Sequence, residues 1–280
     1  MRAPEQQTIL ITGATDGLGR ALAAELAAAG ATVLIHGRDE QRGRETIAQI
    51  QASSGNDRLH WLAGDLSSLD DVRALAGSVT EQCDRVDALV NNAGIGTSLP
   101  GAGARLESRD GYELRFAVNY LSGYLLTRML LAMLERSAPA RVINVSSAGQ
   151  AAIDFDDVML ERHYDGVQAY CQSKLAQIMF TLDLAEEFDS SVVSATCLHP
   201  ATYMPTKMVT AAGIDPTSTL EQGVQATLRL VIDPELDGVS GVYFNGRQAA
   251  RAHPQAYDVD ARRQLRELSD RLCGLGRAAS

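Results

Sequence analysis

The amino-acid sequence predicts an α/β fold built on a parallel β-sheet, and three observations support this prediction. Residues 8–11 form a short apolar run of the kind that parallel sheets bury. A glycine-rich turn, an alanine-rich helix at 20–29 and a second apolar run at 32–35 follow within about thirty residues. With 280 residues, of which 45% are hydrophobic, the chain can bury the core of one large domain.

The remaining sequence continues this alternation of apolar runs and amphipathic segments. Strands are predicted at 59–62, 88–90, 141–145, 192–198 and 241–246, and helices at 40–52, 68–83, 111–134, 169–188, 220–231 and 258–272. No repeat, low-complexity tract or linker interrupts the chain. We therefore expect residues 1–280 to form a single domain.

Composition and charge narrow the classes of function. A net charge of −10 argues against a nucleic-acid surface, because phosphate binding requires clustered basic residues. Arg38, Arg42 and Arg44 do cluster, but they suit a single phosphate better than a duplex. No apolar run of about 18 residues indicates a membrane span, and the N-terminus lacks a secretory segment.

Cysteine and histidine spacing gives no indication of a disulfide framework or a metal site. The four cysteines stand far apart at Cys83, Cys171, Cys197 and Cys273. The five histidines also lack metal-ligand spacing. We expect reduced thiols, no bound metal and a cytoplasmic protein.

The first turn has the chemistry of a phosphate-binding site. Gly13, Gly17 and Gly19 lie between the first strand and the first helix, with the spacing Gly-x-x-x-Gly-x-Gly. Glycines allow the backbone to approach a pyrophosphate, whose charge is stabilised at a helix N-terminus. The flanking strand, helix and second strand make this motif more informative than a glycine-rich turn alone.

Tyr170 and Lys174 begin a long helix and suggest proton-transfer chemistry. Residues four apart share a helix face, so the two side chains project side by side. A nearby ammonium favours the phenolate and would lower the pKa of the tyrosine toward neutrality. Such a pair also occurs by chance on exposed helices, and its meaning depends on the motifs around it.

Together these motifs resemble the short-chain dehydrogenase/reductase family. The resemblance rests on Thr12–Gly19, Asn91–Gly94, Phe116–Asn119 and the Tyr170/Lys174 pair, and it extends over nearly the whole chain. It implies a doubly wound parallel sheet, or Rossmann fold, of about seven strands with helices on both faces. It also implies bound NAD or NADP.

The resemblance assigns candidate cofactor contacts along the chain. They are Gly13, Thr15, Asp16, Gly17, Leu18, Gly19, Arg38, Asp65, Leu66, Asn92, Ala93, Gly94, Tyr170, Lys174, Pro200 and Thr206. A helix cap or turn would explain Asp65 and Leu66 equally well. Thr202 is the second candidate after Thr206, because Ala201 stands where relatives usually carry glycine.

The residue after the second strand bears on the choice of nucleotide. An acidic residue there would mark NAD, whereas Gly37 leaves room and Arg38 offers a planar fork suited to a 2′-phosphate. NADP(H) is therefore preferred and NAD(H) is the alternative. A solvated loop arginine would also explain Arg38, and Asp16 stands where many NADP-preferring relatives carry a basic residue.

The resemblance also assigns catalytic roles. Tyr170 is expected to exchange the proton, Lys174 to lower its pKa and Ser147 to hold the substrate oxygen, with Ser146 as the local alternative. Asn119 is expected to distort its helix and help to hold a water near Lys174. An asparagine within an apolar helix is otherwise usually a core hydrogen-bonding residue.

Two segments are expected to border the substrate. Residues 151–167 form an insertion, like those of the retinol dehydrogenase-like branch, that either covers one edge of the site or forms a plain surface helix. Residues 200–216 are either a lid or a fixed loop. Tyr203, Met204, Met208 and the insertion suggest an apolar pocket.

The predicted function is reversible hydride transfer between a nicotinamide and an apolar carbonyl or alcohol, favouring reduction of a ketone or aldehyde. The alternative is a non-catalytic NADP(H)-binding sensor, which the intact Ser147, Tyr170 and Lys174 disfavour. Epimerase chemistry on nucleotide sugars is disfavoured by the glycine spacing. The protein is expected to be a monomer or a homo-oligomer.

Overall fold

The computed structural model, which describes residues 2–97 and 104–276, joins the predicted apolar runs into one eight-stranded sheet. The strands are β1 (Thr8–Ile11), β2 (Thr32–Gly37), β3 (Leu59–Ala63), β4 (Ala88–Asn91), β5 (Ala140–Val145), β6 (Val193–His199), β7 (Val242–Asn245) and β8 (Gln248–Ala250). Their order is β3-β2-β1-β4-β5-β6-β7-β8. The first seven strands are parallel, whereas β8 pairs antiparallel with β7. The sequence did not predict β8, since three residues are too few to show strand periodicity.

Helices cover both faces of the sheet, as expected for a doubly wound fold. They are α1 (Gly17–Ala28), α2 (Glu40–Ser54), α3 (Leu69–Gln82), α4 (Ser122–Arg136), α5 (Gly166–Glu187), α6 (Lys207–Thr210), α7 (Leu220–Ile232) and α8 (Val259–Leu272). Alternate residues of a strand point to opposite faces of the sheet. Ile9 and Ile11 pack with α1 and α7, whereas Leu10 packs with α3, α4 and α5. The sheet is therefore buried on both sides, which explains its unbroken apolar strands.

The helix predicted at 111–134 contains a local distortion. Phe116–Leu121 is π-helical and leads directly into α4. Among the described residues, Phe116–Arg136 is also long and apolar enough by composition to cross a membrane, contrary to the expectation from the sequence. Because 67% of its apolar window is buried within the protein, packing in the core accounts for its composition.

The insertion at 151–167 is not a surface helix. Its residues up to Asp165 form turns, and α5 starts at Gly166 with the Asp165 side chain as its N-cap. The Gln255 side chain bonds both the N–H and the carbonyl of Ile153, at 2.7 and 3.0 Å. Buried Ile153 and these two hydrogen bonds attach the insertion to the C-terminal part of the chain without a helix of its own.

Strand order places a crevice at the carboxyl edge of the sheet. β1 lies between β2 and β4, so the chain turns to opposite sides after these neighbouring strands, and open α/β sheets bind ligands at such a point. Asn91 at the end of β4 donates to Asn144 of β5 at 2.9 Å, which joins the two strand ends.

Candidate active site

The glycine turn after β1 is packed closely against the segment that follows β4. Gly13 has φ +65°, and an added Cβ would lie 2.9 Å from Ala93 Cα. An added Cβ on Gly19 would lie 2.4 Å from Asn92 Nδ2. Only glycine fits these two positions, and the turn thereby exposes the N-terminus of α1 at the crevice. The Leu18 side chain is buried in the core, so only the backbone of Leu18 can contact a ligand.

The segment after β4 is held by Thr12. Its hydroxyl accepts from the backbone N–H of Asn92 and of Ala93, both at 3.0 Å. Asn92 Nδ2 donates to the carbonyls of Thr12 and Gly13 at 2.8 and 3.1 Å. Gly94 then passes beside the site, where an added Cβ would lie 3.4 Å from Lys174 Nζ.

Asp16 joins the glycine turn to two basic residues. Its side chain caps α1 by accepting from Gly17 N–H at 2.8 Å, and it forms salt bridges with Lys207 at 2.7 Å and Arg42 at 3.2 Å. Burial acts to raise the pKa of Asp16, but the Lys207 and Gly17 hydrogen bonds and the nearby charges hold it below its usual value. Arg42 is therefore already partnered.

Arg38 is exposed directly after the buried end of β2. It makes no hydrogen bond or salt bridge with any residue that the structure describes. An added Cβ on Gly37 would lie 2.9 Å from both the Thr15 side chain and the Trp61 ring. The backbone thus turns tightly beside Thr15, and the Arg38 guanidinium is available to a ligand.

Asp65 has a turn-forming role in the structure. Its Oδ1 accepts from Ser67 N–H at 3.0 Å, and Arg109 lies 3.6 Å from its carboxylate. Burial acts to raise the pKa of Asp65, but its hydrogen bonds with Ser67 and the positive charges of Arg38 and Arg109 hold this pKa below its usual value. Leu66 is buried in the core. The turn accounts for Asp65, and an additional contact with adenine stays a prediction.

Ser147 and Tyr170 lie together at the end of β5. An added Cβ on Gly149 would lie 3.6 Å from Ser147 Oγ and 3.9 Å from the Tyr170 ring, so the two side chains are neighbours. The Ser147 hydroxyl accepts from Gly149 N–H at 3.1 Å, and its carbonyl accepts from Gln150 Nε2 at 3.0 Å and Tyr243 Oη at 3.2 Å. Ser146 instead donates its hydroxyl to the Lys174 carbonyl at 2.7 Å. The structure therefore separates the two serines, because the Ser146 hydroxyl is bonded to the Lys174 carbonyl whereas the Ser147 hydroxyl lies beside Tyr170.

Lys174 is buried without a negative partner. Its side chain is 3% exposed, and Nζ donates to Val145 O and Gln177 Oε1, each at 2.9 Å. No salt bridge reaches it from residues 2–97 or 104–276. Burial consequently lowers the pKa of Lys174 to about 7.

In the protein alone, Lys174 does not lower the pKa of Tyr170 as their spacing on the helix predicted. Lys174 Nζ lies 5.8 Å from the centroid of the tyrosine ring. Burial raises the pKa of Tyr170, while the neighbouring Ser147 hydroxyl acts in the opposite direction. Desolvation outweighs the ammonium at this distance, so the pKa of the phenol lies above its usual value rather than below it.

Asn119 lies within the π-helical turn and bonds the loop that follows Gly94. Its Oδ1 accepts from Ile95 N–H at 2.8 Å, and its Nδ2 donates to Ile95 O at 3.1 Å and Ser173 Oγ at 3.0 Å. The expected helix distortion is present. A role in holding water near Lys174 stays a prediction.

The segment at 200–216 covers the glycine turn and contains the short helix α6. Thr206 precedes α6 and contacts Gly17, where an added Cβ would lie 3.2 Å from Thr206 Cγ2. Thr202 is instead 2.9 Å from His199 Nε2, and Pro200 is buried. Thr206 therefore faces the glycine turn, whereas the alternative Thr202 is engaged elsewhere.

Two side chains that the sequence reasoning missed contact this site. Gln177 lies three residues after Lys174, a spacing that places both on one helix face. Lys207 reaches Asp16 from the covering segment, and no local motif marks it. Met204, expected in the pocket, is instead buried against Gly223, where an added Cβ would lie 2.2 Å from its sulfur.

The described residues fit a dinucleotide. Gly13 and Gly19 leave backbone where any Cβ would collide, the exposed N-terminus of α1 can accept a pyrophosphate, and Arg38 has a free guanidinium for a further phosphate. Tyr170 and Lys174 lie at the same carboxyl edge of the sheet. The arrangement can bind a nucleotide and exchange a proton beside it.

Sequence comparisons agree with this geometry. The sequence profile described as short chain dehydrogenase matches residues 7–216. Retinol dehydrogenase 13 of Mus musculus is 36% identical and aligns over 97% of this chain and 85% of its own. Retinol dehydrogenase 14 of Homo sapiens is 35% identical and aligns over 96% and 87%, respectively.

Solved structures with the same fold include nucleotide complexes. An uncharacterised protein from Mycobacterium paratuberculosis superposes with a TM-score of 0.78 at 28% identity, covering 96% of this chain and 94% of its own. A chain from Escherichia coli CFT073, described as a short chain dehydrogenase complexed with NADPH, has a TM-score of 0.70 at 26% identity. That alignment covers 87% of this chain and 97% of its own.

The low pKa of Lys174 can be measured directly, because Lys174 and Lys207 are the only lysines in the sequence. In protein labelled with ¹³C at the lysine Cε, we expect the Lys174 signal to titrate near pH 7, as a cation below and a neutral amine above. The Lys207→Met variant assigns the signals. A Lys174 signal that stays in its cationic form to about pH 9 would contradict the desolvated site.

Proposed function

Since the chain belongs to the short-chain dehydrogenase family, we propose that it is an NADP(H)-preferring oxidoreductase acting on an apolar carbonyl or alcohol. The proposed direction is reduction of a ketone or aldehyde. The observation that carries the proposal is the grouping of Ser147, Tyr170 and Lys174 at the end of β5, with Tyr170 and Lys174 one helical turn apart. A protein that only bound nucleotide would not need this arrangement.

The hydroxyls of Ser147 and Tyr170 have different roles at the substrate oxygen. Bound NADPH would supply a hydride to the carbonyl carbon. Ser147 donates a hydrogen bond to the carbonyl oxygen, and Tyr170 gives that oxygen its proton as the new C–H bond forms. In the oxidative direction, Tyr170 takes the proton back from the alcohol.

Lys174 determines the charge beside Tyr170. As an ammonium it favours the phenolate that remains after Tyr170 gives up its proton, and its burial strengthens this interaction. Since its pKa is about 7, Lys174 gains or loses its charge near neutral pH. Its bonds to Val145 and Gln177 hold Nζ on the α5 face beside Tyr170, where it would also hold the nicotinamide ribose.

The preference for NADP(H) rests on Arg38. Among the described residues its guanidinium forms no hydrogen bond or salt bridge, whereas Arg42 is partnered by Asp16. A planar fork at the end of β2 suits a charged 2′-phosphate better than the neutral hydroxyl of NAD. Two structural relatives were solved with NADP or NADPH, which is consistent with this choice.

The proposed substrates are apolar ketones, aldehydes and the matching alcohols. Tyr203 and Met208 are exposed apolar side chains on the covering segment, and Met208 packs near Gly96 on the loop after Gly94. The relatives carry the name retinol dehydrogenase, which makes retinaldehyde a reasonable member of a substrate panel. We also propose that the protein acts in the cytoplasm, a reducing compartment in which its free cysteines would stay thiols.

Turnover and the role of Tyr170 can be tested together. With NADPH and a panel of apolar ketones and aldehydes, we expect absorbance at 340 nm to fall with the parent protein. Tyr170→Phe removes the proton donor and should lower kcat by at least about 100-fold. NADPH binding that both proteins retain without any oxidation would indicate a sensor, and equal turnover by Tyr170→Phe would contradict the assigned chemistry.

The cofactor preference gives a separate test at Arg38. Arg38→Ala should weaken NADPH binding by about 10- to 100-fold, since charge-assisted hydrogen bonds contribute roughly 1.5–3 kcal/mol. NADH binding should stay the same, because NADH lacks the 2′-phosphate. Arg44→Ala is the matched control, as Arg44 is exposed and paired with Glu40. Equal loss for both nucleotides in Arg38→Ala would refute the assignment.

A further inference from the structure

Three consecutive carbonyls after Gly94 are held by two side chains of one helical segment. Asn119 Nδ2 donates to Ile95 O at 3.1 Å. Arg115 Nε donates to Gly96 O at 2.9 Å, and its Nη2 donates to Thr97 O at 2.7 Å. Arg115 and Asn119 are four residues apart, so both face the same stretch of loop.

The Arg115 guanidinium is itself held by Tyr164 and Glu113. It is 1% exposed, and its remaining guanidinium nitrogen donates to the Tyr164 hydroxyl of the insertion. Glu113, which is fully buried, lies 3.5 Å from Arg115 and accepts from the Tyr164 hydroxyl at 3.2 Å. The planar fork is thus oriented by a buried carboxylate and a phenol, and it connects the loop to the insertion.

The loop held in this way borders the candidate active site. Gly94 approaches both Lys174 Nζ and Asn119 Oδ1, and an added Cβ on Gly96 would lie 2.5 Å from Met208 of the covering segment. The loop therefore lies between the buried lysine and the segment over the crevice. A shift in its backbone would change the width of the space between them.

We propose that Arg115 is a positioning residue that fixes Ile95–Thr97 as one wall of the substrate pocket. This inference rests on the proposed oxidoreductase function. Arg115 contacts neither of the hydroxyls assigned to the chemistry, so it acts through the loop. A lysine in its place would keep the charge beside Glu113 but could not donate to both carbonyls and to Tyr164 in one plane.

The test compares Arg115→Lys with Tyr164→Phe and a matched control. The control is Arg128→Lys, which changes a mostly buried arginine of α4 that pairs with Glu187 and does not contact the loop. For the carbonyl compound that the parent reduces fastest, we expect Arg115→Lys to raise KM about tenfold with kcat changed less than about threefold. Tyr164→Phe should raise KM about threefold, because it removes only the bonds that orient the guanidinium.

Two further readouts separate positioning from general destabilisation. Amide hydrogen exchange at Ile95 should be faster in Arg115→Lys, and the affinity for NADPH should match that of the parent. Arg128→Lys should keep the parent KM within about twofold, whatever its effect on Tm. If Arg115→Lys does not fold, the KM and exchange rate of Tyr164→Phe decide the question.

The outcomes distinguish this inference from the function on which it rests. A parent protein that oxidises no NADPH with any compound of the panel would overturn the proposed function. An active parent whose KM and Ile95 exchange are unchanged in Arg115→Lys and Tyr164→Phe would overturn the positioning role alone. The positioning role would also be overturned if Arg115→Lys raised KM no more than Arg128→Lys does.

Discussion

The burial of the Lys174 ammonium without a carboxylate is the constraint on which the rest of the site depends. A cation in the interior needs oxygen acceptors, and here they are the carbonyl of Val145 at the end of β5 and the amide oxygen of Gln177. Ser146, which follows β5, donates a further hydrogen bond to the backbone of the same lysine. These contacts fix α5 against the carboxyl end of β5 and place Tyr170 beside Ser147.

The same need for hydrogen-bond partners organises the loops around the crevice. Backbone groups beside a buried lysine need hydrogen-bond partners. Thr12 accepts from the N–H of Ala93 before Gly94, and Asn119 and Arg115 donate to the carbonyls of Ile95 and Gly96 after it. These bonds attach the loop after β4 to the glycine turn and to the helical segment that contains Arg115 and Asn119. The covering segment is attached by the packing of Met204 and Thr206 and by an exposed salt bridge between Lys207 and Asp16, and exposed pairs of this kind contribute little to stability.

Much of this arrangement could be predicted from the sequence, because the decisive signals are local. Strand, glycine turn and helix follow one another within a few residues, and the i, i+4 spacing places Tyr170 and Lys174 on one face. Contacts between distant segments could not be predicted in this way. The bond from Arg115 to Tyr164 spans 49 residues, and the pKa of Tyr170 depends on burial that no spacing reveals. The helix alternative for the insertion was wrong because Gln255, about 100 residues away, supplies its backbone hydrogen bonds.

In the proposed reaction, the Lys174 ammonium stabilises the phenolate that forms when Tyr170 gives its proton to the carbonyl oxygen. The most direct test is the pH dependence of kcat/KM for NADPH-dependent reduction. Because the pKa of Lys174 is about 7, the pair loses its first proton near neutrality, and kcat/KM should fall about tenfold per pH unit above that point. A value of kcat/KM that stays constant to about pH 10 would show that the lysine and the tyrosine do not act together.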